Sequence, residues 1–417
     1  MKIAIIGAGF TGLASAYFLA YKNHQVTIFE KEKEAGGLSA SFSFPGWSSP
    51  LEMHYHHWFT NDSYILDLIK RLGLGNSLIF PTSLTSVYFQ GKIYPLNSPF
   101  HVLTFSPVSI VDRLRLGLVL LYLKLLPARE ALKLEKYTAE NWLLRYFGKN
   151  VYTILWQPLL LGKFGSLASK VNMSWFWARI KKRTSRLGYL IGGYHRLTDR
   201  LIEEIKQHQG KVFFGTPWKA HFLKNYDKVI FTAPTAEFIN AFPQLPQAYK
   251  KKLSSIPHLH ALTLVTLGKE KLLPDTYWLN INDADFPFVG VVQHTNMIDS
   301  KYYDGSEIAY IANYLPDNHP YLKMSKEELF KVYLPYLTKI NPRFNSQFSI
   351  HQLADNSQLF LGPFAQPVFP LNYSKIKPDF VTPIPNVYLA NMDMVYPWDR
   401  GTNYAVELGY KVAQIIC

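Results

Sequence analysis

Three histidines fall within four residues in the run Glu52-Met-His54-Tyr-His56-His57-Trp-Phe59. Imidazole is the side chain most easily tuned for proton transfer near neutral pH, and it is also a common metal ligand. On an extended strand His54 and His56 would share one face and His57 would point to the other. No cysteine pair or second acidic cluster accompanies them, so no metal is expected. Lys163 stands in the apolar run Gln157-Pro-Leu-Leu-Leu-Gly-Lys163-Phe-Gly165. A lysine in such company can lose proton affinity or hold an anionic group, or it can be a surface lysine whose stem lies along apolar neighbours. Near the end of the chain Tyr396 and Arg400 offer a phenol and a cation, with a packed ring and a surface salt bridge as the plainer alternatives. Motifs of the G-x-S-x-G or H-E-x-x-H kind are missing.

The elements that must position these groups begin at the first residue. Lys2–Ile6 is an apolar strand, Gly7, Gly9 and Gly12 form a G-x-G-x-x-G turn, Leu13–Lys22 has a helical pattern, and Gln25–Phe29 is a second strand ending in Glu30. In that order the turn is a dinucleotide-binding unit: Gly7 for the tight turn, Gly9 for close approach to a pyrophosphate, Gly12 for helix–strand packing. The helix N-terminus offers free N–H groups to phosphate. Glu30 suits ribose hydroxyls and would repel a 2′-phosphate. A second glycine loop follows at Gly36-Gly37-Leu38-Ser39. Helical patterns cover Asp62–Leu74, Leu197–Gln207, Ser325–Lys339 and Gly401–Ile416, and a hairpin covers Thr85–Leu96. Strand-like runs are Val212–Phe214, Trp218–Phe222, Lys228–Thr232, Leu262–Leu267, Phe288–His294, Glu307–Tyr314 and Asn386–Ala390. The nucleotide-fold signals are scattered along the chain, which predicts one domain assembled from separated pieces with another inserted between them.

Composition narrows the setting. The 417 residues carry 48% hydrophobic and 18% charged side chains, as folded proteins do. Cys417 is the sole cysteine, so no intramolecular disulfide can form, and a reducing, cytoplasmic location is expected. A strand beginning at Lys2 leaves no room for a signal peptide. The net charge of +14 invites an anionic partner. No nucleic-acid module is recognisable, which leaves phosphorylated substrates or an anionic membrane surface. The segment Arg113–Pro127 is apolar with cations near both ends, and its uncharged core is far shorter than the ~20 residues a span requires. It reads either as a helix lying in a bilayer interface, peripheral to the inner face of the membrane, or as a buried helix.

These residues together resemble the flavin-dependent amine oxidase superfamily, which includes protoporphyrinogen oxidases, phytoene desaturase-like enzymes and UDP-galactopyranose mutases. The resemblance implies FAD, with its ADP half held by Gly7, Gly9, Phe10, Thr11, Gly12, Glu30 and Lys31. Gly36, Gly37, Leu38 and Ser39 would close over the pyrophosphate, with Leu38-Ser39 where many members have an arginine after the glycine pair. Asp227–Pro234, including Ala233, would return the chain to the nucleotide domain, and the strand before it would reach the adenine near Trp218. Asn391, Met392, Arg400, Gly401, Thr402, Asn403 and Ala405 would bind the flavin, Asn391-Met392 replacing a Gly-Asp/Glu pair. His57, with His56, would border the flavin ring, as in galactopyranose mutases.

The implied fold is α/β: a discontinuous Rossmann-like FAD-binding domain (1–75, 188–240, 385–417), an inserted mixed-sheet substrate domain (76–105, 241–384) and a helical insert (106–187) that could face a membrane. The implied activity is hydride transfer from a small or lipid-linked organic substrate to flavin N5. The alternative is a non-redox sugar mutase.

Overall fold

Lys2–Ile6 and Gln25–Phe29 are nearly continuous apolar runs, the pattern of parallel strands covered on both faces. In the computed structural model, which describes residues 1–344 and 349–417, they lie inside a five-stranded parallel sheet. Its order is Lys211–Phe213, Gln25–Phe29, Lys2–Ile6, Lys228–Phe231, Val387–Leu389. Neighbours in space are thus separated by up to 225 residues in sequence, as in the Lys2 N–H bond to Asp227. The helices Phe10–Tyr21 and Thr402–Ile416 cross on this sheet so closely that a Cβ on Gly409 would sit 2.6 Å from the Thr11 carbonyl oxygen.

Trp218–Phe222 is not a strand. Residues 215–219 form a loop leading into the short turn Ala220–Asn225. Pro217 cannot donate a ladder hydrogen bond, and the rings of Trp218 and Phe222 pack instead on Phe29, with centroids 6.0 and 5.2 Å away. The edge strand is Lys211–Phe213.

The second sheet has seven strands in the order Ser357–Pro367, His258–Gly268, Glu307–Leu315, Gly290–Gln293, Trp278–Ile281, Thr85–Phe89, Lys92–Pro95. All neighbours are antiparallel except Trp278–Ile281 with Thr85–Phe89, so the sheet is mixed as expected. The hairpin turns at Gln90 and Gly91, both at positive φ, the left-handed pair that a two-residue connection requires. Residues 345–348, within the expected substrate domain, lie outside the described residues.

Between the hairpin and the return to the parallel sheet lie helices with a core of their own. Met173–Lys182 anchors it: Asn172 caps its N-terminus through Trp175 N at 3.1 Å, and Trp175, Phe176 and Trp177 are fully buried. Ile110–Leu125 buries only Leu116 and Leu123. Its stripe Val111, Leu114, Leu118, Leu121 and Leu125 faces outward, with Val111 74% and Leu125 69% exposed. The flanking cations turn back to the protein: Arg113 donates to Val108 O, Arg115 to Tyr146 O, and Lys124 to Arg183 O at 2.6 Å. Among the described residues no helix is long and apolar enough to cross a membrane.

Candidate functional site

The parallel sheet, the mixed sheet and the helical insert enclose one cavity of about 1920 Å³. A single drug-sized ligand needs roughly 300–1,000 Å³, so there is space for a large cofactor and a second molecule.

At one end lies the glycine turn. Gly9 caps the helix Phe10–Tyr21 without a side chain, and a Cβ there would meet nothing within 4 Å. The first N–H groups of this helix therefore face open space on the cavity wall, an anion cradle. Gly12 lies beneath: its Cβ would come 1.9 Å from the Gly7 carbonyl oxygen, so only glycine permits the helix to leave the strand there. The Glu30 carboxylate accepts Ala8 N at 2.6 Å and Glu32 N at 2.9 Å, which fixes it at the rim. Gly36 N donates to Ala8 O, binding the second glycine loop to the first, and Gly37, Leu38 and Ser39 continue along the wall. Lys31 lines the cavity paired with Glu237 at 2.7 Å. Trp218 and Ala233 also line it, and the Trp218 indole N–H is buried with no hydrogen-bond partner among the described residues.

At the other end Gly401 caps Thr402–Ile416, again with no side-chain cap and nothing within 4 Å of an added Cβ. The neighbouring side chains are engaged by the protein. Thr402 Oγ1 accepts Trp58 Nε1 at 2.7 Å, and Asn403 Oδ1 accepts Ile65 N at 3.2 Å. Asn391 donates to Thr235 Oγ1 at 2.9 Å and accepts Asp393 N. The backbone groups of these residues, with those of Met392 and Ala405, line the cavity at this end. Asp393, two residues past Asn391, also lines the cavity, at a position to which the sequence assigns no role. It is buried, accepts the Thr235 hydroxyl and pairs with His258 Nε2 at 2.7 Å. Burial opposes charge on His258, but the Asp393 carboxylate outweighs it and raises the pKa.

The histidine run is not a strand. Residues 53–57 loop between the two-residue strands Leu51–Glu52 and Trp58–Phe59, so face alternation does not apply, and all three rings line the cavity. His54 Nδ1 bonds Thr263 Oγ1 at 2.8 Å. His56 Nδ1 donates to His54 O at 2.6 Å, so its Nε2 is the acceptor for the Ser39 hydroxyl at 3.0 Å. With both nitrogens engaged, and burial pushing its pKa down to about 4, His56 is a neutral strut. His57 meets Tyr277 OH at 3.4 Å through Nδ1. Burial, then His56, Arg183 and Arg179, push it down to about 3.

Tyr396 is not brought to the cavity. Its ring packs against Phe369 and Tyr373, and its hydroxyl donates to Glu135 at 3.0 Å, so the packed-ring alternative holds. Lys163 and Arg400 are brought there, in a cluster that spacing alone could not reveal. Lys163 Nζ lies 3.0 Å and Arg179 3.4 Å from Asp399 Oδ2, while Trp175 Nε1 donates to Asp399 Oδ1. Burial lowers Lys163 to about 7 despite Asp399. Burial works against charge on Asp399, yet Lys163, Arg179 and Arg400 hold its carboxyl below the usual range. Arg400 bonds Gln366 and the Tyr314 hydroxyl, which also meets Tyr55 OH at 2.7 Å.

The sequence model described as "Flavin containing amine oxidoreductase" matches residues 10–417. Coproporphyrinogen III oxidase of Staphylococcus aureus is 28% identical over 230 residues, 52% of this chain and 46% of that protein, so the match spans less than half the length of this curated relative. Two solved structures share the fold at 15% identity and cover all of this chain. Reduced UDP-galactopyranose mutase has a TM-score of 0.74 with 95% of its own chain matched, and wild-type putrescine oxidase bound to putrescine has 0.70 with 99% matched.

Proposed function

Because the chain belongs to the flavin-containing amine oxidoreductase family, we propose that it is an FAD-dependent oxidoreductase acting on a largely apolar organic substrate. The observation that carries this is the pair of uncapped helix N-termini, at Gly9 and Gly401, opening into one cavity with the Glu30 carboxylate at its rim. An extended dinucleotide with a negatively charged centre fits that donor set. Gly7, Gly9, Phe10, Thr11 and the Gly36–Ser39 loop would hold pyrophosphate, Glu30 ribose, the Trp218 indole the base region, and the backbone of Gly401–Asn403 the ring. FAD, when bound, supplies a hydride acceptor. The protein's part is to orient and exclude water. His57, neutral and held by Tyr277, borders the ring as a positioning group, and Leu155, Leu159 and Trp278 give the cavity an apolar wall. The domain division 1–75, 188–240 and 385–417 for the nucleotide, 76–105 and 241–384 for substrate, and 106–187 as a helical insert belongs to the same reading.

Delivery from an anionic bilayer completes it. Leu103 and Leu121 line the cavity and are also more than half exposed, so the cavity opens beside the apolar stripe of Ile110–Leu125. Arg113, Arg115 and Lys124 of the same helix have their donors tied to backbone carbonyls, so the attraction to an anionic surface rests on the net charge of +14.

The test is the purified protein. Heat-released cofactor should run as FAD, and substrate alone should bleach the bound flavin without air. His57→Ala should alter the bound flavin's spectrum or turnover; if both stay unchanged, its assigned place is wrong. Activity only after dithionite, with no acceptor consumed, would establish the mutase alternative. A protein carrying no flavin would overturn both.

A further inference from the structure

Four cationic side chains line one stretch of the cavity wall: Lys163, Arg179, Arg183 and Arg400, against the single carboxylate of Asp399. Their elements are unrelated in sequence. Lys163 comes from the helix Gln157–Phe164, Arg179 from Met173–Lys182, Arg183 from just past its end, and Arg400 from the loop before Thr402–Ile416. Cations at the end of a helix usually answer its terminal carbonyls. Here Lys124, from a neighbouring helix, satisfies them by donating to the carbonyls of Ile180, Lys181 and Arg183. The Arg183 guanidinium has no hydrogen bond or ion pair among the described residues. Arg400 is held by Gln366 and Tyr314, neither of them charged.

Arg183 is partly exposed on the cavity wall, and its charge there has no ion-pair partner among the described residues, which favours an anion beside it. Burial, then Arg179, lower the affinity of Arg183 for its proton to about 9, an effect in the direction the geometry requires. Such a wall repels a protonated amine and is completed by an anion. We infer that Arg183, with Arg179, Lys163 and Arg400, forms a subsite for an anionic group (carboxylate, sulfonate or phosphate) on an otherwise apolar substrate, and that protonated amines are excluded from it. This rests on the proposed function only in taking the cavity as a substrate site.

Three probes of one shape decide it: 1-naphthoate, its neutral amide 1-naphthamide, and 1-naphthylmethylamine, titrated calorimetrically into the purified protein near pH 6.5. Charge-assisted hydrogen bonds predict that naphthoate binds about tenfold or more tighter than the amide, with the amine weakest. Arg183→Met should erase most of that preference and leave amide affinity unchanged, while Arg183→Lys retains part of it. Lys163→Met, made separately, should weaken naphthoate alone, so one misfolded variant does not decide the matter. Equal binding of acid and amide, preference for the amine, no naphthoate binding at millimolar concentration, or a uniform loss of all ligands in Arg183→Met would overturn the subsite. Flavin is counted by absorbance on the same samples. Its absence would sink the proposed function while leaving the anion preference standing or falling by itself.

Discussion

Glu52 is the acid least at ease in this molecule. It is 1% exposed, accepts the Tyr189 hydroxyl and Tyr194 N, each at 2.6 Å, and has no ion pair among the described residues. Burial raises its pKa to about 7. An acid whose proton affinity is higher folded than unfolded stabilises the fold fully below about pH 4.5, and that contribution is lost as pH rises to about 7. The loss is on the order of 3 kcal/mol. Glu52→Gln should flatten this limb, so the variant melts higher than wild type at pH 8 and not at pH 4.5; parallel melting profiles would refute the assignment. Residues of this kind mark what the sequence makes legible. The histidine run is conspicuous because histidines are rarely crowded, yet its first member, Glu52, is not, because nothing local marks it as buried. Asp399 likewise meets Lys163 and Arg179 across 236 and 220 positions, a distance that no motif spans.

Among the elements, strand–turn–helix is the most readable, because each glycine answers a local steric demand. The two demands are separable by mutation. Gly12→Ala puts a methyl 1.9 Å from a backbone oxygen that cannot yield, and should cost several times the ~1–3 kcal/mol of ordinary overpacking. Gly9→Ala meets no protein atom, so its melting temperature without cofactor should stay within a few degrees while bound flavin falls sharply. If Gly9→Ala retained full flavin content, the cradle would be misplaced. The segment at Trp218 shows the opposite case. An aromatic run imitates a strand, but its rings gain more by packing on Phe29 than its backbone would by pairing beside Pro217. Tyr396 departs from expectation for a related reason: proximity in sequence to Arg400 says nothing about which side of the backbone faces the cavity.

At the scale of the whole molecule, the exposed stripe on Ile110–Leu125 is a contiguous apolar surface beside the cavity mouth, which isolated folded chains seldom leave bare. The protein should float with vesicles containing phosphatidylglycerol and much less with phosphatidylcholine alone, and Leu118→Asp with Leu125→Asp should abolish flotation without altering the flavin spectrum. Equal recovery with both vesicle types would remove the electrostatic part of that reading; no flotation at all would remove it entirely. Composition shows the charge and the short apolar run, but whether the run is buried depends on tertiary packing that no periodicity encodes. The strand order also sets a timetable. The central strand Lys2–Ile6 is made first, its neighbour Lys228–Phe231 more than two hundred residues later, and Val387–Leu389 and the helix Thr402–Ile416 later still. Such non-local pairing is slow to form and exposes apolar edges while it waits. The second uncapped helix end, at Gly401, emerges long after the first, at Gly9. Until then a nascent chain would have only half of the proposed cradle, and secure cofactor loading would wait for the helix Thr402–Ile416.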